Sequence, residues 1–180
     1  LFEQPDLVDK VEAILARHEV NARAIELEIT ETGLMKDLQG VVPSLHRLNQ
    51  LGTEISIDDF GTGYSSLAYL TTLPISELKI DRSFVHDLGD TPQSTAVVSA
   101  IIALARALGL RVIAEGVEKV SQMEVLYKLG CHICQGFLYA RPMPAAELEH
   151  WVVDVLSKRS LPCIGGDDAD RPTSPPPART

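Results

Sequence analysis

Hydrophobic positions recur along the chain with two different periods, and segments of one period alternate with segments of the other. In residues 25–30, Ile25, Leu27 and Ile29 alternate with polar residues, which is typical of a strand with one polar face. Comparable patterns predict strands at residues 25–30, 55–58, 77–81, 111–115 and 133–137. Apolar stripes with the helical period predict helices at residues 5–18, 41–51, 65–73, 93–108, 119–129 and 145–157.

The predicted elements alternate, so the fold class is α/β, with a parallel sheet covered by helices. An open parallel sheet is covered on both faces and has continuous apolar strands, whereas each predicted strand here keeps a polar face. That face ends in a charged or amide residue, which favours a (β/α)8 TIM-type barrel whose functional groups project from the carboxyl ends of its strands. A complete barrel has about 250 residues, so we expect a partial barrel of about the last five β/α units.

The composition is typical of a soluble globular protein, and the net charge limits the classes of partner that the chain could bind. Of the 180 residues, 45% are hydrophobic, and the net charge of −9 argues against binding to DNA or RNA. The most apolar stretch, residues 97–114, is interrupted by Arg106 and Arg111, so we expect no membrane contact by this segment. The three cysteines do not form a disulfide framework, which indicates a cytoplasmic location, with any membrane anchor lying upstream of Leu1.

The end of the chain differs from the rest in composition. Residues 161–180 are rich in proline, glycine and aspartate and show no apolar period. Such a segment cannot bury enough apolar surface to order itself. We therefore predict one domain over residues 1–160 and a disordered Pro/Gly/Asp-rich tail over residues 161–180.

Polar side chains stand at or just past the ends of the predicted strands: Glu28, Asp58, Asp59, Lys79, Glu115 and Gln135. In a barrel these ends meet at one mouth, where several carboxylates would repel one another unless cations lay between them. Oxygen ligands suit Mg²⁺ or Mn²⁺, and carboxylates from several strands resemble the two-ion sites that hydrolyse phosphodiesters. A single strand-end carboxylate is ordinarily a helix cap or a solvated charge, but five strands ending this way are harder to explain without a function.

Lys79 has two possible roles in such a site. It could remove a proton from the attacking water, which would need a lowered pKa of Lys79, or it could act as a fixed positive charge. Nearby carboxylates favour the charged ammonium, whereas bound metal ions oppose them. Both roles therefore stay open from the sequence.

Five short motifs carry a resemblance to a known family. They are EITE at 28–31, DDFGTGYSSL at 58–67, LKID at 78–81, AEGVE at 114–118 and QGF at 135–137. Their order and content resemble those of EAL domains, and the resemblance extends over about residues 1–153. Because five blocks occur in the family's order, the resemblance is far more specific than any one motif would be.

The resemblance implies a phosphodiesterase that uses two Mg²⁺ or Mn²⁺ ions on a modified (β/α)8 barrel to hydrolyse cyclic di-GMP to linear pGpG. The implied metal ligands are Glu28, Asp58, Asp59 and Glu115. The implied catalytic residues are Lys79, which contacts the attacking water, with Glu118 and Gln135 in support. Loop support and regulation are implied for Glu31, Gly61, Thr62 and Gly63, and substrate contact at the rim for Arg141 and Pro142.

The resemblance also implies partners and leaves an alternative open. The loop that begins at Asp59 is associated in the family with dimerisation, so we expect a homodimer, and a sensory or GGDEF domain often precedes an EAL domain. The Glu-Ala-Leu and Asn-x-Ser motifs of the family would lie upstream of Leu1, so we expect the 180-residue chain alone to be inactive. The alternative is a catalytically inactive cyclic di-GMP receptor or protein-interaction module, and the upstream ligands would discriminate between the two.

Overall fold

The computed structural model describes residue 4 and residues 6–63 and 67–158. Its strands are β1 (Glu26–Thr30), β2 (Glu54–Phe60), β3 (Glu77–Ile80), β4 (Arg111–Ala114) and β5 (Ile133–Cys134). Its α-helices are α1 (Leu7–Arg17), α2 (Glu31–Lys36), α3 (Leu38–Leu51), α4 (Leu67–Leu70), α5 (Arg82–His86), α6 (Pro92–Leu108), α7 (Val120–Leu129) and α8 (Ala145–Lys158). A short 3-10 helix, Ala22–Ala24, precedes β1.

The five strands form one parallel sheet in the order β1-β2-β3-β4-β5. Chain order and sheet order coincide, because each strand leads through at least one helix to the neighbouring strand. The predicted α/β class and the five predicted strands are confirmed. Strand β5 has two residues where five were predicted, since the chain turns at Gly136, whose α-carbon lies against the backbone of Val117.

Two short helices, α2 and α5, were not predicted. Each begins directly after a strand, and the residue just before the helix caps its N-terminus. The Thr30 hydroxyl accepts from the Gly33 amide, and the Asp81 carboxylate accepts from the Ser83 amide. Helices of six and five residues are too short to show an apolar period. The capping residues were therefore the available signal, and the sequence prediction did not use it.

The hydrophobic core lies between one face of the sheet and the helices. Ile55 and Ile57 of β2 and Leu78 and Ile80 of β3 are almost completely buried. They alternate along their strands with polar residues, as the two-residue repeat of a strand predicts. The helices contribute further large buried side chains, among them Leu34, Leu45, Leu48, Val98 and Leu126. The opposite face of the sheet carries the charged side chains.

Charged residues begin four neighbouring strands: Glu26, Glu54, Glu77 and Arg111. Arg111 Nε donates to Glu77 Oε2 at 3.1 Å, and Arg111 Nη2 donates to Glu54 Oε2 at 3.3 Å. The Glu77 side chain is only 3% exposed. Burial, and then the neighbouring Glu26 carboxylate, raise the pKa of Glu77 to about 7 against the opposing effect of Arg111.

This buried acid predicts that stability falls as the pH rises. The pKa of Glu77 lies above its ordinary value of 4.5 in the folded state, so its contribution is present below pH 4.5 and is lost as the pH rises through about 7. A Glu77→Gln variant resembles the protonated acid, and above pH 7 it should exceed the wild type in free energy of unfolding by up to about 3 kcal/mol. Urea unfolding followed by circular dichroism at several pH values measures the difference.

The experiment uses the gene product, meaning this chain with any coding sequence that precedes Leu1. Glu54→Gln is the matched control, since it removes the more exposed partner of Arg111 and leaves the buried acid in place. The control should keep the pH dependence of the wild type. An unchanged pH dependence in Glu77→Gln would refute the assignment to Glu77.

The chain divides into two compact units, residues 1–141 and residues 142–180. The first unit holds the sheet and helices α1 to α7, and the described part of the second holds α8. Residues 161–180, where a disordered tail was predicted, lie outside the described residues, and the single domain over 1–160 stays a prediction. Among the helices of the described ranges, none combines the length and the apolar character needed to cross a bilayer.

Candidate active site

The ammonium of Lys79 lies at the centre of a group of carboxylates on the charged face of the sheet. Its Nζ is 2.7 Å from Glu28 Oε1, 2.5 Å from Glu115 Oε1 and 3.7 Å from Asp58 Oδ1. The Lys79 side chain is 5% exposed, whereas the Glu28 side chain is 49% exposed. The structure therefore brings together four of the six strand-end residues that the sequence singled out.

The parallel register explains why these side chains meet. Glu28 of β1 pairs with Ser56 of β2, and Asp58 stands two residues further along β2, on the same face. Lys79 of β3 pairs with Ile113 of β4, and Glu115 stands two residues beyond Ile113. All four side chains therefore point to one face near the carboxyl ends of their strands, where ligands bind in parallel α/β folds.

The electrostatics of the site keep Lys79 charged. Burial alone would lower the pKa of Lys79, but its hydrogen bonds to Glu115 and Glu28 outweigh burial and raise that pKa above its ordinary value. Burial raises the pKa of Glu115, and the nearby Asp58 and Glu28 carboxylates act in the same direction, against Lys79. In the metal-free chain these shifts favour a fixed positive charge at Lys79 over a general base.

Asp59 is near enough to interact electrostatically with Asp58 and Lys79, but its side chain hydrogen-bonds with Asp81. Its φ of 55° is left-handed, which is uncommon for a residue other than glycine, and it lies where the β2–β3 register shifts, between Ile57 and Phe60. Burial, and then the Asp58 and Asp81 carboxylates, raise the pKa of Asp59.

Asp81 is a candidate functional residue that the sequence analysis missed. It follows Lys79 by two positions, directly after β3, which places its carboxylate on the same side of the sheet. That spacing was the signal that could have identified it. Burial alone would raise the pKa of Asp81. The hydrogen bonds that Asp81 accepts from Ser83 outweigh burial and lower that pKa.

The predicted loop residues are also brought together. Glu31 is 1% exposed, and its Oε2 accepts from the Gly61 amide at 2.7 Å. The Thr62 hydroxyl donates to the Asp59 carbonyl at 2.8 Å. A side chain at Gly63 would meet Glu31 Oε1 at 2.7 Å, so Glu31 packs closely against the loop. Contact between Glu31 and the loop is thus established, and the regulatory role of the loop stays a prediction.

Glu118 and Gln135 lie on two adjacent loops that are joined by hydrogen bonds between their backbones. The Val117 amide donates to the Gln135 carbonyl at 3.0 Å, and the Gln135 amide donates to the Ala114 carbonyl at 2.8 Å. Both residues are exposed, and their predicted supporting role in catalysis stays a prediction. Arg141 Cζ lies 4.5 Å from the centre of the Phe137 ring. Pro142 begins the second compact unit, and its predicted role stays a prediction.

The side chains around Lys79 fit a hard divalent ion in their chemistry. Glu28, Asp58 and Glu115 offer only oxygen ligands, which Mg²⁺ and Mn²⁺ prefer, and they already converge on one cation, the Lys79 ammonium. Within the described ranges, no three carboxylate, imidazole or thiol groups are arranged to enclose a metal ion without further movement. The half-exposed Glu28 side chain has room for such a movement.

Comparison with known proteins decides the family. The sequence pattern of the EAL domain family matches residues 1–142, which is most of the chain. The chain belongs to the EAL domain family. The membership predicted from the five motifs is therefore confirmed, and with it the relation of this parallel sheet to the barrel of EAL domains.

Two curated relatives from Pseudomonas aeruginosa illustrate the similarity. The chain is 50% identical over 147 residues to the bifunctional diguanylate cyclase/cyclic di-GMP phosphodiesterase MucR, covering 82% of this chain and 22% of MucR. It is 47% identical over 146 residues to the cyclic di-GMP phosphodiesterase NbdA, covering 81% of this chain and 19% of NbdA. This EAL chain thus spans about a fifth of the length of these relatives.

Solved EAL structures have the same fold. The MucR phosphodiesterase in complex with c-di-GMP superposes with a TM-score of 0.79 at 50% identity, over 82% of this chain and 60% of the MucR chain. The Klebsiella pneumoniae protein BlrP1, solved with manganese and c-di-GMP, superposes with a TM-score of 0.73 at 31% identity, over 78% of this chain and 36% of its own. A second BlrP1 complex holds calcium, so divalent metals accompany c-di-GMP in these relatives.

Proposed function

We propose that this EAL chain forms the larger part of the active site of a metal-dependent phosphodiesterase that hydrolyses cyclic di-GMP to pGpG. The observation that carries the proposal is the ammonium of Lys79 within reach of carboxylates from three strand ends, Glu28, Asp58 and Glu115. Such a concentration of negative charge would repel a phosphodiester unless cations accompanied it. The phosphodiesterase relatives and their complexes with c-di-GMP support the choice of substrate.

The residues that would hold Mg²⁺ or Mn²⁺ are Glu28, Asp58, Asp59 and Glu115. Divalent ions in such a site lower the pKa of bound water and neutralise charge on the phosphate. Nζ of Lys79 lies at the centre of these carboxylates, where it would orient a water molecule or a phosphate oxygen. Glu118 and Gln135 flank this centre from the two loops joined at Val117.

The proposal extends to the surroundings of the site. The loop from Asp59 to Gly63, held by Glu31, would transmit regulatory signals and contribute to a homodimer. Arg141, stacked on Phe137, would contact the substrate at the rim. We place the protein in the cytoplasm, where a cyclic dinucleotide messenger is available, with a sensory or GGDEF domain upstream and no DNA or RNA as a partner.

Hydrolysis of cyclic di-GMP by the gene product tests the proposal. We expect pGpG to form in the presence of Mg²⁺ or Mn²⁺, and Glu28→Ala to lower the rate at least about 100-fold, because it removes a preorganised charged group from the reacting centre. Glu12→Ala is the matched control, since Glu12 lies exposed on α1, away from the strand ends. Product formation is followed by chromatography.

The same experiment separates the two candidate functions. Tight binding of cyclic di-GMP without turnover, in both the wild type and the control, would support the receptor that the sequence left as an alternative. Equal rates in Glu28→Ala and Glu12→Ala would contradict the placement of the active site around Lys79.

A further inference from the structure

One amide side chain is buried beside the site without belonging to it. Gln122, in the first turn of α7, is 2% exposed. Its Oε1 accepts from the Glu118 amide at 2.8 Å and from the Lys119 amide at 2.9 Å, and its Nε2 donates to the His86 carbonyl at 3.0 Å. A buried amide is expected to have partners, but these three belong to two different elements.

The bonds of Gln122 connect two walls of a cavity that borders the loop after Glu115. Glu118 and Lys119 lie on the loop that leaves β4 after Glu115, whereas His86 ends α5, the helix that follows the Lys79 strand. A cavity of about 350 Å³ lies between these walls and is lined by Arg82, Ser83, His86, Gly116 and Glu118. The Gln122 amide therefore links the end of the loop at Glu118 to the end of α5, beyond the point where Gly116 packs against Arg82.

A role confined to helix capping accounts for only part of this arrangement. The bond from the Lys119 amide to Gln122 Oε1 is the contact that a glutamine at the third helical position ordinarily makes. The bonds to the Glu118 amide and to the His86 carbonyl reach beyond α7 and would be unnecessary for a cap alone. The loop is also held on its other side, where the Val117 amide donates to the Gln135 carbonyl.

We propose that Gln122 is a positioning residue that holds the loop from Glu115 to Glu118 in place for metal binding and hydrolysis. The part of this proposal that concerns metal binding rests on the proposed function. The hydrogen bonds of Gln122 are observed in the structure and do not depend on it. Losing the Gln122 amide frees the Glu118 amide and the His86 carbonyl, so the hydrogen-bonded link between the two walls is lost. The Glu118 end of the loop then loses its tether to α5, whereas Glu115 keeps the bond from its amide to the Ile80 carbonyl and its contact with Lys79.

The test measures Mn²⁺ binding to the gene product by electron paramagnetic resonance of the free ion, a measurement that does not depend on turnover. Gln122→Met keeps the size of the side chain and removes all three hydrogen bonds. We expect it to weaken Mn²⁺ binding at least about 10-fold, the scale on which groups that orient metal ligands act. Gln93→Met is the matched control, because Gln93 is an exposed glutamine in the first turn of α6.

A second variant keeps the test decisive if Gln122→Met fails to fold. Gln122→Asn keeps the amide but shortens the side chain by one methylene, so it cannot reach the Glu118 amide and the His86 carbonyl together. We expect weakened Mn²⁺ binding and faster amide hydrogen exchange at Glu118, in a protein that melts above the assay temperature. Mn²⁺ affinity equal to that of the Gln93→Met control in a folded Gln122 variant would overturn the proposal.

The outcomes also separate this proposal from the proposed function. If the wild type binds Mn²⁺ but does not hydrolyse cyclic di-GMP, the phosphodiesterase proposal fails and Mn²⁺ binding still tests Gln122. If the wild type hydrolyses cyclic di-GMP and the folded Gln122 variants bind Mn²⁺ as the wild type does, Gln122 has no positioning role and the phosphodiesterase proposal stands.

Discussion

Replacing Lys79 with methionine is expected to lower hydrolysis of cyclic di-GMP strongly and to destabilise the metal-free protein. The Lys79 side chain is 5% exposed and its ammonium contacts Glu28 and Glu115, so its removal leaves those carboxylates without a counter-charge. The carboxylates left behind are partly exposed, 49% for Glu28 and 19% for Glu115, so the cost is about 1 to 3 kcal/mol, below that of breaking a fully buried pair. We expect a loss of that order in the free energy of unfolding without divalent ions, partly restored by Mn²⁺, and a fall in turnover of at least about 100-fold.

Urea unfolding with and without Mn²⁺ measures the first effect, and product formation measures the second. Lys10→Met is the control, since Lys10 pairs with Asp6 on the exposed surface of α1 and its loss should change neither quantity measurably. If the Lys79 and Lys10 variants unfold at the same urea concentration, the central ion cluster does not contribute to stability as described.

Gly136→Ala is expected to disrupt the site through the backbone. A β-carbon at Gly136 would lie 2.1 Å from the Val117 carbonyl oxygen and 2.4 Å from the Val117 nitrogen. Backbone atoms cannot rotate away as a side chain can, so either the loop through Val117 or the turn after β5 must move. Overpacking of this kind costs about 1 to 3 kcal/mol, and here we expect the upper end because backbone atoms collide. The movement should also displace Glu115 and Glu118 from the site.

Thermal unfolding and product formation of the Gly136→Ala gene product measure these effects. Gly109→Ala is the matched control, because a β-carbon at Gly109 would have no neighbour within 4 Å. Its φ of 72° is left-handed, so we expect a loss of about 1 kcal/mol and unchanged turnover. Full activity in Gly136→Ala would show that the two loops are not packed together as described.

The main elements of the fold could be predicted because their patterns are strong. Strand β1 alternates over five residues, and α6 is an apolar helix that ends at Gly109, so both were predicted close to their observed bounds. The short helices α2 and α5 could not be predicted from the spacing of apolar residues, because one or two helical turns contain too few residues to show a repeat. Their caps, Thr30 and Asp81, were the only local signals.

The centre of the site could be predicted for a different reason. Parallel strands place their carboxyl ends together, so Glu28, Asp58 and Glu115 had to approach Lys79 once the alternation was correctly assigned. The position of Asp59 could not be predicted, because it depends on a register shift in β2 and a left-handed backbone. The hydrogen bond between Asp59 and Asp81 follows from that local geometry and leaves no periodic trace in the sequence.

The turnover of cyclic di-GMP by the gene product, measured across a range of Mn²⁺ concentrations, tests the central claim most directly. The arrangement of carboxylates around Lys79 predicts that pGpG forms only when a divalent ion is present, and that the rate saturates as the ion fills the site. An equal rate in the presence of a chelator, or nucleotide binding without product at any Mn²⁺ concentration, would contradict it.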